Sequence, residues 1–161
     1  MLVKSKNTSN FRDCSIGSMK KNQLFRSAKL SKLEDKDLDI LEKNKIFKII
    51  DLRDPIEIKK APDNLSSNLF KKYINLPISA NTLSRMADAY QNSHYQENKI
   101  IYEDVMKVSY QFYLENYLEV WKKFFTLLLE SNGKPIIFHC SAGKDRTGIA
   151  SYLIQSLSLI H

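Results

Sequence analysis

Residues 135–149 read PIIFHCSAGKDRTGI, and the hydrophobic pattern changes twice within this stretch. An unbroken apolar run comes first, a polar segment with one glycine follows, and a helical pattern begins after it. A short apolar run without polar alternation, introduced by proline, is typical of a strand that is buried on both faces. We therefore predict a buried central strand over 135–139, a tight loop, and a helix over 147–160.

The loop joins a cysteine to an arginine. Cys140 lies where the predicted strand ends, Arg146 follows six residues later, and Gly143 between them allows the backbone to fold into a cup. The amides of such a cup, a helix N-terminus and a guanidinium converge on one anion, which suits a phosphate dianion. The same surroundings favour the thiolate form of a cysteine at the rim. The predicted phosphate-binding residues are Ser141, Ala142, Gly143, Lys144, Asp145 and Arg146.

The loop resembles the signature of the protein tyrosine phosphatases. That signature is HC, five residues, R and then S or T, and this chain has His139, Cys140, Arg146 and Thr147 at those positions. Three shorter motifs stand upstream in the chain, and they are NFRD at 10–13, LFRS at 24–27 and DLR at 51–53. With the GKDRTG ending of the loop, this set resembles the bacterial tyrosine phosphatases that also act on lipids. The resemblance implies an α/β cysteine-phosphatase fold, with a central, mostly parallel sheet flanked by helices.

The resemblance also implies a reaction, the hydrolysis of a phosphate monoester through a phosphocysteine intermediate. Cys140 is the expected nucleophile, and the fork of Arg146 is expected to hold two phosphate oxygens. Thr147 is expected to stabilise the sulfur when it leaves. His139 precedes the nucleophile and so points to the opposite side of an extended strand. We therefore expect His139 to order the loop by hydrogen bonding rather than to transfer a proton.

The leaving oxygen needs a proton and the attacking water needs a base, and one carboxylate can serve both steps. Asp145 is the first candidate, because the resemblance places an acid inside the loop, and Asp54 with Asp51 is the reserve. The alternative for Asp145 is structural, since it can hold the shape of the loop by bonding to the backbone or to Arg26. Arg26 itself faces either the phosphate pocket or solvent, and we favour the pocket.

Residues 46–51 predict a second buried strand, which ends in the sequence DLRDPIE. Ligands of open α/β sheets bind just beyond the carboxyl ends of strands, which places Asp51, Arg53 and Asp54 near a site. The alternative is a local network in which Asp54 begins a turn or helix and Arg53 pairs with Glu57 four residues on. Both interpretations stay open at the level of sequence.

The other helices and strands are predicted from hydrophobic periodicity and from the residues that start and stop helices. Ser31 and Glu34 have the spacing of a capping box and predict a helix over 32–43 that ends near Asn44. The remaining predictions are an edge strand within 71–78, a short helix and a lid or linker over 79–99, and a helical segment over 100–131 with a bend or a break.

Composition bounds the class of protein. The 161 residues are 43% hydrophobic, so we expect one phosphatase domain over 1–161, either C-terminally short or a fragment, because the chain stops within the last predicted helix. The net charge of +7 favours acidic partners, namely phosphorylated proteins, phosphoinositides or an anionic membrane surface. No nucleic-acid motif accompanies this charge. The two cysteines, the absence of a signal peptide and the lack of a long apolar run indicate a soluble, cytoplasmic protein.

Phosphotyrosine is the first predicted substrate, with phosphoserine and phosphothreonine as further ones. A phosphoinositide phosphatase is the alternative, because Lys144 adds a second cation to the cup. An inactive phosphate-binding module is the alternative from another class, although such modules typically lose Cys140 or Arg146. A Walker loop would need glycine in place of Phe138 and Ser or Thr in place of Asp145. No cofactor is expected, and no metal, since the three histidines are far apart in sequence.

Overall fold

The computed structural model describes residues 7–80 and 102–159. Within them, five strands form one sheet in the spatial order β1-β2-β5-β3-β4. Their bounds are β1 Arg12–Asp13, β2 Leu24–Ser27, β3 Lys48–Asp51, β4 Tyr73–Asn75 and β5 Ile136–His139. Strand β1 is antiparallel to β2, and the other neighbours are parallel. The fold is therefore a mixed α/β fold with a mostly parallel sheet, as the sequence predicted.

Strand β5 occupies the centre of the sheet and is buried along its whole length. Its side chains alternate between two apolar clusters, as the period of a strand requires. Phe138 joins a cluster that contains Phe124, whereas Ile137 joins the cluster of Phe25 on the other face. Because both faces and both edges of β5 are covered, the residue that follows it, Cys140, has a fixed position.

Helices cover both faces of the sheet in the described ranges. Their bounds are α1 Asp35–Lys43, α2 Pro55–Lys60, α3 Ser67–Phe70, α4 Tyr102–Asn116, α5 Leu118–Glu130 and α6 Asp145–Leu159. Leu41 of α1 and Leu69 of α3 belong to the cluster on one face. Residues of α4, α5 and α6, including Tyr113, Trp121 and Ile154, belong to the cluster on the other face.

The start of α1 corrects the sequence prediction. The N-cap is Glu34 and the capping box is formed with Asp37, so Ser31 does not cap this helix. A turn in which the amide of Leu33 donates to the carbonyl of Leu30 precedes the helix, and both leucines are buried. Leu33, which the sequence had placed in the first turn of the helix, thus lies in a buried turn before the helix begins. The predicted C-cap, Asn44, is confirmed.

The predicted break in the helical segment 100–131 is confirmed, because α4 ends at Asn116 and α5 begins at Leu118. Strand β4 confirms the predicted edge strand, although it is shorter than 71–78. The short helix and lid or linker expected over 79–99 lie outside the described residues, apart from the first two positions. None of the described helices combines the length and apolar character that crossing a membrane requires.

Candidate active site

The loop after β5 is held from one side through its carbonyl groups. Four successive carbonyls, those of residues 141–144, accept hydrogen bonds from the N-terminal half of the chain. The donors are the amide of Lys29 to Ser141 (3.2 Å), Asn10 Nδ2 to Ala142 (2.8 Å), and Arg26 Nη2 to Gly143 (2.9 Å) and Lys144 (3.3 Å). A trans peptide directs its carbonyl and the following amide in opposite directions. The amides of 142–145 therefore point away from these donors, and none of them has an acceptor within the described protein.

Gly143 is required by the close packing of the loop on the end of β2. Its φ is +67°, and a Cβ at this position would lie 2.5 Å from the carbonyl carbon and oxygen of Ser27. A side chain would therefore collide with backbone, which does not yield easily. The glycine lets the loop approach β2 closely enough for the hydrogen bonds to its carbonyls to form.

Cys140 is 2% exposed at the end of β5, and its sulfur accepts a hydrogen bond from a threonine. The donor is Thr147 Oγ1 at 3.0 Å, on the first turn of α6. Thr147 is itself fully buried, so its hydroxyl has little freedom to turn elsewhere. This contact places a donor where negative charge on the sulfur is stabilised.

Arg146 is oriented by Glu57, a residue that the sequence analysis had not assigned to the site. Arg146 Nη1 lies 2.6 Å from Glu57 Oε2, and Nη2 lies 2.8 Å from Oε1. Nη1 also donates to the carbonyls of Leu52 and Ile78. Arg146 Nε and the second hydrogen of Nη2 have no acceptor within the described protein. One edge of the guanidinium is thus fixed, and the other edge can hold two oxygens of an anion.

The ionisation of Glu57 reflects this pairing. Burial alone raises the pKa of Glu57, but hydrogen bonds from Arg146 and Ser141 outweigh it and lower the pKa to about 2. Ser141 Oγ donates to Glu57 Oε1 at 2.5 Å, and the backbone amide of Asp54 donates to Oε2 at 3.0 Å. Glu57 therefore stays an anion and connects α2, the loop and Arg146.

Arg53 does not pair with Glu57, which corrects that alternative. It is fully buried, with Nε 2.9 Å from Asp51 Oδ1 and Nη2 2.9 Å from Asp63 Oδ1. Tyr73 completes the arrangement by donating its hydroxyl to Asp51 at 2.9 Å. The carboxylate of Asp63, which lies beyond α2 in the chain, thus takes the place that local spacing had given to Glu57.

His139 faces this group of charges and makes no hydrogen bond to the loop, contrary to the sequence expectation. Its Nε2 lies 3.1 Å from Asp63 Oδ2, and its Nδ1 lies 3.8 Å from Asp51 Oδ1. Burial alone raises the pKa of Asp63, but the contact with His139 and the charge of Arg53 outweigh it and lower the pKa. We refer to Asp51, Arg53, Asp63 and His139 as the buried network.

The buried network brings three possible metal ligands together, since atoms of Asp51, Asp63 and His139 lie within 4.8 Å of one another. The guanidinium of Arg53 contacts both carboxylates, at 2.7 and 2.9 Å. A protein cation is therefore already paired with both carboxylates, and we assign no metal to this cluster.

The three candidate acids have different surroundings. Asp145 is half-buried at the start of α6, and its Oδ1 lies 3.5 Å from the hydroxyl of Tyr110. Asp54 is the N-cap of α2, confirming the predicted helix start, and its Oδ2 accepts from the amide of Ala80. Asp51 belongs to the buried network. Only Asp145 lies in the loop segment itself.

Comparison with known proteins agrees with the geometry of the site. A model described as the tyrosine phosphatase family matches residues 3–158. The chain belongs to the tyrosine phosphatase family. It is 26% identical over 145 residues to a tyrosine-protein phosphatase of Nostoc commune, an alignment that covers 90% of this chain and 46% of that protein. The chain thus spans about half the length of this curated relative.

Two of the three upstream motifs of this tyrosine phosphatase family member hold the loop, and the third belongs to the buried network. The motif at 10–13 supplies Asn10, and the motif at 24–27 supplies Arg26, and both side chains hold loop carbonyls. Arg26 therefore supports the loop from outside the cup instead of facing into it. The motif at 51–53 supplies two members of the buried network.

The sequence patterns did not identify two site residues of this phosphatase-family chain. Glu57 stood in a quoted motif but was assigned to a local pair, and the pattern DLR-x-x-x-E was the signal that could have identified it. Asp63 follows a proline in a segment without periodicity, so no local pattern marks it. Both act across long stretches of sequence, on Arg146 and His139.

Proposed function

We propose that this chain is a protein tyrosine phosphatase that hydrolyses phosphotyrosine through a phosphocysteine intermediate, with phosphoserine and phosphothreonine as further substrates. The observation that carries the proposal is the set of amides at 142–145 that have no acceptor among the described residues, combined with a buried thiol and a guanidinium edge without an acceptor in the same ranges. Oriented amides and a guanidinium fork are suited to the equatorial oxygens of a phosphoryl group.

In the first step, the thiolate of Cys140 attacks phosphorus, so that an S–P bond forms while the bond to the leaving oxygen breaks. Arg146 holds two phosphoryl oxygens with the edge that Glu57 leaves free. Asp145 transfers a proton to the leaving oxygen, which departs as the neutral phenol of tyrosine. In the second step, water attacks phosphorus and gives a proton to Asp145, and Cys140 leaves as a thiolate next to Thr147.

The assignment of Asp145 as the acid is supported by the hydrogen bonds that the other two candidates already accept. Asp51 accepts from Arg53 and Tyr73 inside the fully buried network. Asp54 accepts from the backbone at the start of α2 and from Ala80. A carboxylate whose oxygens are occupied by protein donors is less available to contact the leaving oxygen of a substrate. Among the residues that the structure describes, Asp145 has one long contact, to Tyr110.

A phosphatase assay with a phosphotyrosine peptide and a phosphoserine peptide tests the proposal. We expect turnover by the wild type, none by Cys140→Ser, and a phosphoenzyme trapped on rapid quenching of the wild type. Cys14→Ser is the matched control, because burial, followed by the charge of Asp13, raises the pKa of Cys14 to about 11 and so disfavours its thiolate form. Near-normal turnover by Cys140→Ser would overturn the mechanism.

A phosphoinositide phosphatase is the second candidate, and the exposed position of Lys144 beside the cup favours it. A second phosphate on an inositol ring can use this ammonium group, whereas phosphotyrosine has no second phosphate. Lys144→Ala is therefore expected to depress phosphoinositide turnover more than phosphotyrosine turnover. Equal losses would assign Lys144 to the reacting phosphate or to the loop. If phosphate binds but the wild type turns over neither substrate, the chain is an inactive binding module.

A further inference from the structure

A second concave site lies beside the loop, on the side opposite to the amides of the cup. It is a groove of about 320 Å³ between the loop and the segment that follows β2. Its lining includes Lys29, Ser31, Lys32 and Lys144, and we refer to it as the lysine groove. Cys140 is not among the lining residues, so the groove is separate from the position of the nucleophile.

The lysine groove shares a wall with the cup. Ser141, Ala142 and Lys144 line the groove and also form the loop. The opposite wall is tied to the loop by the hydrogen bond from the amide of Lys29 to Ser141 and by that from Asn10 to Ala142. A ligand group bound in the groove therefore lies on the other side of the loop from the reacting phosphate.

The charge of the groove is unbalanced. Lys29, Lys32 and Lys144 contribute three ammonium groups, and the described residues that line the groove include no carboxylate. In the ranges 7–80 and 102–159, none of the three lysines forms an ion pair. Three uncompensated cations in one concavity attract an anion.

Ser31 adds a hydroxyl that the fold does not use. The sequence had given it to the cap of α1, but Glu34 performs that task. In the described structure, the hydroxyl of Ser31 has no hydrogen-bond partner. A hydroxyl can donate to a phosphate oxygen beside ammonium groups.

We propose that the lysine groove is a second phosphate-binding site, which takes a phosphate group other than the one that reacts at Cys140. A phosphate dianion matches three cations better than a carboxylate does. The ligand is either a second phosphate on the substrate or free inorganic phosphate. The distinction between a reacting and a second phosphate rests on the proposed function, whereas binding in the groove does not.

An NMR titration of the ¹⁵N-labelled protein with inorganic phosphate tests the site without any need for turnover. The amides of Ser31 and Lys32 report on the groove, and those of Gly143 and Asp145 report on the cup. We expect saturable shifts in both sets. The double variant Lys29→Gln, Lys32→Gln should weaken the groove response by about 5- to 10-fold, because each exposed ion pair contributes modestly.

The control is Lys20→Gln, Lys123→Gln, which removes the same charge at exposed positions outside the lining of the groove. It should leave both responses within about twofold of the wild type, because distant exposed charges are screened by salt. The proposal is overturned if the groove amides do not saturate, or if the double variant Lys29→Gln, Lys32→Gln titrates like this control.

A kinetic comparison distinguishes the two sources of phosphate. If the substrate supplies the second phosphate, KM for inositol 1,4-bisphosphate should be lower than for inositol 1-phosphate, and Lys29→Gln, Lys32→Gln should abolish that difference. If KM is the same for both while the groove still titrates, the site takes free inorganic phosphate. An absence of turnover in the wild type would overturn the proposed function and leave the titration result intact.

Discussion

The buried network and the cup are built from the same two groups, a guanidinium and carboxylates, yet only the cup can accept a further anion. Arg53 has two aspartates and a carbonyl around it, and each of its nitrogens has a partner. Arg146 has the single carboxylate of Glu57, which contacts one edge and leaves the other free. The number and placement of carboxylates therefore decide whether a buried arginine is structural or available to a ligand.

The largest expected effect is on proton transfer in the cup. Asp145→Asn should lower turnover of a substrate with a poor leaving group by ~10²–10⁴-fold, and turnover of an activated aryl phosphate by less, because good leaving groups need little protonation. Steady-state kinetics with both substrates measure this difference. Asp54→Asn is the matched control, since asparagine still caps α2. Equal losses on both substrates would assign Asp145 to loop structure instead.

The next effect concerns the network. Arg53→Met should reduce the free energy of unfolding by about 3–5 kcal/mol, because Asp51 and Asp63 would remain buried without their cation. Urea denaturation followed by circular dichroism measures the change. A loss below about 1 kcal/mol would show that the two aspartates take up protons or that His139 balances them, and the contrast with Arg146 would then weaken.

Arg146→Lys, unlike Arg53→Met, should reduce activity strongly and stability only slightly. Turnover should fall by about 10²–10³-fold, since a lysine cannot present a fork to two phosphoryl oxygens. The free energy of unfolding should change by only about 1 kcal/mol, because the partner carboxylate of Glu57 keeps contact with solvent. Kinetics and urea denaturation of the same preparation provide both values. A destabilisation as large as that of Arg53→Met would mean that the two arginines have the same structural role.

The smallest effect is a dependence of stability on pH. The pKa of Glu57 is about 2 in the folded protein, below its usual value of 4.5. Its contribution is therefore complete above about pH 4.5 and is lost as the pH falls towards 2. Denaturation midpoints of wild type and Glu57→Gln, measured from pH 7 to pH 2.5, should converge at the acidic end. Parallel curves would show that Glu57 does not titrate as a paired carboxylate.

The sequence predicted the central strand and the tight loop after it because the residues that form them are contiguous. The apolar run 136–138 predicts a buried strand. The glycine at 143 predicts a tight turn, at a position where a side chain does not fit. Local spacing was also enough to predict the start of α2 at Asp54 and the break before α5. In each case the determining interactions lie within a few residues of one another.

The errors came from interactions that local spacing does not reveal. Arg53 and Glu57 have the spacing of a helical ion pair, but the fold brings Asp63 to Arg53 and Arg146 to Glu57. The capping box at Ser31 failed for a similar reason, since burial of Leu30 and Leu33 determined where the turn lies. The decisive term was tertiary packing, which local spacing does not contain.

The central position of β5 has a consequence for amide hydrogen exchange. Its backbone is paired on both sides, with β2 and β3, so its amides should exchange with deuterium only when the sheet itself unfolds. The amides of 142–145, a few residues further along, have no acceptor in the described part of the chain to protect them. The sulfur of Cys140 thus lies at the boundary between slowly and rapidly exchanging backbone, and a bound oxyanion would slow exchange on one side of that boundary only.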